Sequence, residues 1–175
     1  MATLTDGVVT LATITVADVT KEYVNWLNDP EVNRWLETRW KTQTVDTVRE
    51  YLAGVHARGD FLWAITANGK HIGNIKLSSP HPIHQSCDIA YFIGDRAEWG
   101  KGYATRAVRV ATGFALGASN VHRVQAGCYA ANRASVRVLL KAGFSREGER
   151  VRALKTENGW DSELLFARLA GGSAL

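Results

Sequence analysis

The spacing of apolar positions changes period several times along the chain. Val8 to Ile14 alternates, which predicts a first strand, while residues 1–7 before it read as a loose start. From Ala17 to Leu27 the period is helical, with Val19, Tyr23, Val24 and Leu27 on one face and Thr15 or Asp18 near the start. Asn28-Asp29-Pro30 breaks that helix, because the residue before a proline avoids helical angles. The proline then suits the first turn of a new short helix, Pro30 to Leu36. Glu37-Thr38-Arg39-Trp40-Lys41 reads as a loop with an exposed aromatic. Thr44 to Arg58 predicts a second long helix, striped by Val45, Val48, Leu52 and Val55. Thr47 stands where a full capping box would have a glutamate or glutamine, so the start of this helix is not fixed.

Strand periods follow. Phe61 to Ala67 and His71 to Leu77 flank Asn68-Gly69, a strong hairpin signal. Ser78 to Ser86 holds Pro80, His81, Pro82 and His84 and reads as a connecting loop. Cys87 to Ile93 is a strand, and Thr105 to Leu116 is a helix with Ala107, Val108, Ala111, Phe114 and Ala115 recurring on one face. Val121 to Tyr129 is a strand interrupted by Gly127. A short helix, Ala134 to Ala142, closes on Gly143, which fits a left-handed cap. Two last strands, about 147–155 and 161–169, flank Asn158-Gly159, and the tail from Gly171 to Leu175 is expected to be mobile. The expectation is one α/β domain over residues 1–175, its core about 8–169, with a mixed, mostly antiparallel central sheet flanked by helices.

One junction carries chemistry. Trp99-Gly100-Lys101-Gly102-Tyr103-Ala104-Thr105 joins the strand ending at Ile93 to the helix after it. Glycines let backbone amides approach a ligand, and a helix start adds unpaired donors and a positive dipole end. A Gly-x-Gly turn can also be a tight link and nothing more. The Walker pattern is missing, and the residue three past Gly102 is Thr105 rather than glycine, so neither standard nucleotide loop fits. Another phosphate-bearing ligand is preferred.

Composition narrows the classes. With 175 residues, 46% hydrophobic and 22% charged, the chain is globular and large enough for a real core. The net charge of +4 suits a small anionic ligand, and the basic residues are scattered, which argues against nucleic acid. Cys87 and Cys128 are too few for a disulfide framework or a metal cage, so no metal is expected. No apolar run approaches the roughly 20 residues of a membrane span, and no signal peptide is visible. A soluble, cytoplasmic enzyme or binding domain is expected.

Three segments in order resemble the GCN5-related N-acetyltransferase (GNAT) family and, within it, the RimJ/RimL-like branch. They are Tyr91-Phe92-Ile93 with the loop Trp99 to Thr105, Asn132-Arg133-Ala134-Ser135 with Lys141-Ala142-Gly143-Phe144, and Trp26-Leu27-Asn28-Asp29-Pro30-Glu31-Val32. The resemblance spans roughly residues 8–169 and implies a GNAT-like fold with acetyl-CoA as co-substrate. It implies that Trp99, Gly100, Lys101, Gly102, Tyr103, Ala104 and Thr105 cradle the pyrophosphate, with Lys101 and Arg106 offering charge. Backbone amides of Tyr91, Phe92 and Ile93 would hold the thioester carbonyl. Asn132 would bond the pantetheine arm, and Ser135 would lie near the thiol and relay a proton; helix capping is the plainer reading of both. Asp88 sits where several relatives carry a carboxylate, which makes it the candidate base. Two departures are visible: Ala97 where the family often has Gln or Arg, and Leu139 in place of its proton-donating tyrosine.

For the acceptor, the resemblance points to Asn28, Glu37, Arg39 and Trp40 around the helix break. Trp40 and Arg39 suit a planar or anionic group. The acceptor expected is a primary amine, with a nucleotide-linked amino sugar ahead of a protein N-terminus. A non-catalytic acyl-CoA-binding module is the alternative in another class. A homodimer stays open.

Overall fold

The computed structural model describes residues 3–118 and 121–171. Gly172 to Leu175, most of the tail expected to be mobile, lie outside the described residues. Among the described residues eight strands make one sheet: β1 (Leu4–Thr5), β2 (Val9–Thr13), β3 (Phe61–Ala67), β4 (Lys70–Leu77), β5 (Ser86–Ile93), β6 (Arg123–Tyr129), β7 (Ser145–Thr156) and β8 (Gly159–Leu169). Their order in space is β1-β2-β3-β4-β5-β6-β8-β7. Every neighbouring pair is antiparallel except β5 and β6, which run parallel.

Helices cover both faces. On one lie α1 (Lys21–Asn28), α2 (Pro30–Asn33) and α3 (Val45–Ala57); on the other lie α4 (Tyr103–Ala118) and α5 (Arg133–Lys141). Two cores result. Trp63, Ile65, Ile75, Ile89, Val124 and Phe166 pack under Ala107, Val108, Ala111 and Leu139. Ile14, Leu62, Tyr23, Leu27, Val48 and Leu52 pack on the opposite side. Each such aliphatic residue contributes roughly 1.5–3 kcal/mol by leaving water. Gly94 follows β5, and a Cβ there would run into the Trp26 indole, so the glycine lets α1 seat against the sheet.

Several boundaries differ from the sequence reading. Residues 4 and 5 pair with Thr10 and Leu11, a strand too short to show a period. The first helix splits: a 3₁₀ turn, Val16–Asp18, precedes α1, which starts where the Thr20 hydroxyl accepts from the Tyr23 amide at 3.1 Å. The second ends at Asn33, whose side-chain amide donates to the Leu27 carbonyl at 2.8 Å. Glu37–Trp40 is a 3₁₀ turn rather than a loop. The capping box of α3 is present after all: the Thr44 and Thr47 hydroxyls bond reciprocally to each other's amides at 3.2 and 2.9 Å. A hydroxyl at that position does what a glutamate does elsewhere.

Candidate active site

The site begins where the sheet splits. β5 and β6 pair only from Ser86–Asp88 to Arg123–Gln125. Beyond Asp88, β5 stays bonded to β4 through Ile93, and β6 stays bonded to β8 through Tyr129. The two strands diverge, and each leaves one edge unpaired. A cleft of about 1050 Å³ opens there. Tyr91, Phe92 and Ile93 line one wall, and Ala126, Cys128 and Tyr129 line the other.

At the mouth stands the start of α4. The first helical bond runs from the Arg106 amide to the Gly102 carbonyl at 3.2 Å, and the amides of Gly100 to Thr105 find no acceptor among the described residues. Gly100 and Gly102 hold φ of 76° and 84°, and a Cβ on either would meet nothing within 4 Å. This is a row of free donors at a helix start, the arrangement that receives phosphate. Trp99, Gly100, Gly102, Tyr103, Ala104 and Thr105 line the cleft. Lys101 does not: its Nζ bonds Glu98 at 2.9 Å. Arg106 is likewise engaged, with Asp6 at 2.9 Å. Within this loop the free donors are therefore backbone amides, while Arg137 and Lys141, basic residues that also line the cleft, come from α5.

Asn132 and Ser135 lie at the start of α5, on the β6 side. The Asn132 carbonyl oxygen accepts from the Ser135 amide at 3.1 Å, so this residue caps the helix and also lines the cleft. The Ser135 hydroxyl shares a hydrogen bond with the Tyr91 phenol at 2.9 Å, and Tyr91 also donates to the Ser135 carbonyl at 3.3 Å. This pair bridges the two diverging walls. Burial raises the Tyr91 phenol above its ordinary value, against the opposing pull of Ser135. Leu139 is buried in the α4–α5 core and lines the same cleft.

Across the sheet lies a second end, where the carboxylates Glu31, Glu37 and Glu163 line the cleft beside Arg34. Glu37 lines the cleft, and its Oε1 accepts from the Tyr129 hydroxyl at 2.6 Å. Arg39 donates to that hydroxyl at 2.8 Å. Burial first, and Glu37 next, hold the Tyr129 proton on above its ordinary value, while Arg39 opposes. Trp35 packs on Tyr129 at 5.4 Å between ring centres. Glu163 from β8 joins this wall.

Besides Lys101, the structure parts four further expected site residues from the cleft lining. Asp88 is exposed where β5 and β6 still pair, and its Oδ1 accepts from Gln125 Nε2 at 3.1 Å. Asn28 donates to the Val24 and Gln43 carbonyls and accepts from the Gln43 amide, a clamp that leaves none of its side-chain polar atoms idle. Arg39 is engaged with the Arg34 and Lys155 carbonyls as well as Tyr129. Its guanidinium also lies 4.4 Å from the centre of the Trp40 ring, covering one face of it. Tyr129, Glu163, Trp35 and Asn74 line the cleft without having been singled out as site residues, and only Tyr129, an aromatic ending the strand before Asn132, carried a sequence hint. Among the described residues no group of three or more His, Cys, Asp or Glu could hold a metal ion, and no helix is long and apolar enough to cross a membrane.

Comparison with known proteins bears on this geometry. A family model described as an acetyltransferase (GNAT) domain matches residues 9–145. The chain is 39% identical over 85 residues to the Probable N-acetyltransferase YjcK of Bacillus subtilis, a match covering 49% of this chain and 46%, about half, of that protein. It is 26% identical over 129 residues to the spermidine N(1)-acetyltransferase of Escherichia coli, covering 73% of this chain and 68% of the relative. A solved RimL, a ribosomal L7/L12 alpha-N-protein acetyltransferase in complex with coenzyme A, has the same fold: TM-score 0.87 at 17% identity, covering 98% of this chain and 100% of that one.

Proposed function

The chain belongs to the acetyltransferase (GNAT) family, and from that premise we propose that it transfers the acetyl group of acetyl-CoA to a small, positively charged primary amine. The observation that carries this reading is the split between β5 and β6, opening at one end on the free amides of Gly100 to Thr105 and at the other on Glu37. Acetyl-CoA supplies the activated acetyl thioester. The Gly100–Thr105 amides bind the pyrophosphate, the unpaired edge of β5 near Tyr91 to Ile93 orients the thioester carbonyl, and the free side-chain N–H groups of Asn132 hold the arm between them. Ser135, its hydroxyl steered by Tyr91, relays a proton from water to the departing thiolate, taking one up as it passes one on, in place of the tyrosine that Leu139 displaces. Glu37 receives the ammonium and takes up its proton, directly or through water, a role Asp88 cannot fill from outside the cleft.

Acidic residues at the acceptor end favour a cation. A nucleotide-linked amino sugar loses its support, because the donors of Arg39 are engaged and one face of Trp40 is covered. The spermidine acetyltransferase relative supports an aliphatic amine. A protein N-terminus is the second reading, favoured by the match to RimL along the whole fold. The test is thiol release from acetyl-CoA with spermidine, short peptides with free N-termini, nucleotide-linked amino sugars and aminoglycosides. Release with the aliphatic amine is the expected result. Silence across the panel, with CoA still bound tightly, would overturn the transferase reading and leave a non-catalytic acyl-CoA-binding module.

A further inference from the structure

We infer that Glu163, seated in a niche made by Gly127, is the residue that binds a cationic amine of the acceptor. The inference rests on the reading above for the identity of the reaction, and on the geometry alone for the site.

Gly127 is the unexplained interruption in β6. Its φ lies outside the left-handed region, so the backbone there does not require glycine. Space does. A Cβ at Gly127 would fall well inside contact distance of Glu163 Oε1 and 3.1 Å from its Cδ. The carboxylate of Glu163 therefore lies flat on the β6 backbone, where any other residue would push it away.

The direction it faces follows from the register. Ala126 and Cys128 point into the core beneath α4 and α5. Gly127 between them points to the opposite side, as does Tyr129. Glu163 pairs with Tyr129 across the β6–β8 ladder and shares that face. Glu163 thus stands beside the Tyr129–Glu37 pair, on the far side of the sheet from the amides at the start of α4.

Its state of pairing is unusual for a side chain that is only 18% exposed. Oε2 lies 3.2 Å from Arg150 Nη1, on an arginine that is itself 65% exposed. Oε1 receives no hydrogen bond among the described residues. One oxygen is anchored at the rim, and the other is presented along the strand edge that lines the cleft. A carboxylate held in this way attracts an ammonium and repels phosphate, so it fits an amine carrying positive charge and not an anionic acceptor.

The test titrates spermidine, as the probe amine, into the CoA-saturated protein by calorimetry, with steady-state kinetics alongside. Three chains are compared: wild type, Glu163→Gln and Gly127→Ala. Glu163→Gln keeps the shape and removes the charge. Spermidine affinity is expected to fall about tenfold or more, with the salt dependence of binding reduced. In turnover, the KM for the amine rises by a larger factor than kcat falls. Gly127→Ala should reproduce the effect by displacing the carboxylate, with CoA affinity kept as evidence that the fold is intact. Equal spermidine affinity in wild type and Glu163→Gln, or no binding by wild type, would overturn the inference. Glu163-dependent binding without thiol release would sink the transferase reading and leave this site standing. Thiol release with an unaltered amine KM in Glu163→Gln would do the reverse.

Discussion

Replacing Gly102 with alanine tests the phosphate cradle with the least disturbance. Gly102 has φ of 84°, and a Cβ there meets nothing within 4 Å, so the methyl clashes with no protein atom. The folded state bears only the left-handed backbone, about 1 kcal/mol once the stiffer unfolded chain is counted. For a chain of this size that lowers the melting temperature by roughly 2–4 °C. Gly69, at the β3–β4 turn, is the matched control: φ is 73°, nothing lies within 4 Å, and it does not line the cleft. Gly69→Ala should lose a similar amount of stability. The two part in ligand binding. The open space over Gly102 is where a phosphate would sit against the Gly100–Thr105 amides, and a methyl there costs at least one charge-assisted hydrogen bond, roughly 1.5–3 kcal/mol. That is a loss of roughly 10- to 100-fold in CoA affinity. Calorimetric titration with CoA, beside thermal melts of both variants, reads the two quantities separately. CoA binding by Gly102→Ala within roughly threefold of Gly69→Ala would refute the assignment of the loop.

Two further outcomes are expected. Tyr91→Phe removes the partner that steers the Ser135 hydroxyl, so kcat should drop about tenfold with a smaller change in the KM for acetyl-CoA; stopped-flow thiol release checks it, and an unchanged kcat would exclude Tyr91 from the proton path. Arg123 makes a two-point ion pair with Glu147, and that hydrogen bond holds the carboxyl below the ordinary glutamate range. A depressed carboxyl stabilises the fold above its unfolded value and loses that contribution as pH falls through the folded one. Glu147→Gln should therefore lower the urea midpoint at neutral pH, and the two curves should converge once acidification protonates Glu147 in the folded chain as well.

The local elements were legible because their causes are local. Val48, Leu52 and Val55 recur at helical spacing, Asn68-Gly69 can make a tight turn whatever surrounds it, and Gly143 ends a helix by its own φ of 88°. The strand-to-helix loop at Gly100 and Gly102 was legible for the same reason: the glycines and the helix start lie together in the chain. The sequence is ambiguous where one side chain can serve two purposes. Asn28 and Arg39 have the right groups for a substrate, but nearby carbonyls took their donors. Thr47 is an unusual residue type for a capping box, yet a hydroxyl at that spacing reaches the same amide.

By itself, then, the chain's sequence determined its elements, their mixed α/β arrangement and a loop able to receive phosphate, all set by residues within a few positions of one another. Only the tertiary structure decided the site. Where the parallel pairing of β5 and β6 stops is a property of two strands separated by a helix, and no local pattern marks Asp88 as the last paired residue. The end of the cleft proposed for the acceptor joins Glu37, Tyr129 and Glu163, brought together by the β6–β8 ladder and the turn at Glu37–Trp40. Whether a carboxylate faces a cleft or solvent depends on its register and on the space beside it. For Glu163 that space is the missing side chain of Gly127, on another strand 36 positions earlier in the chain.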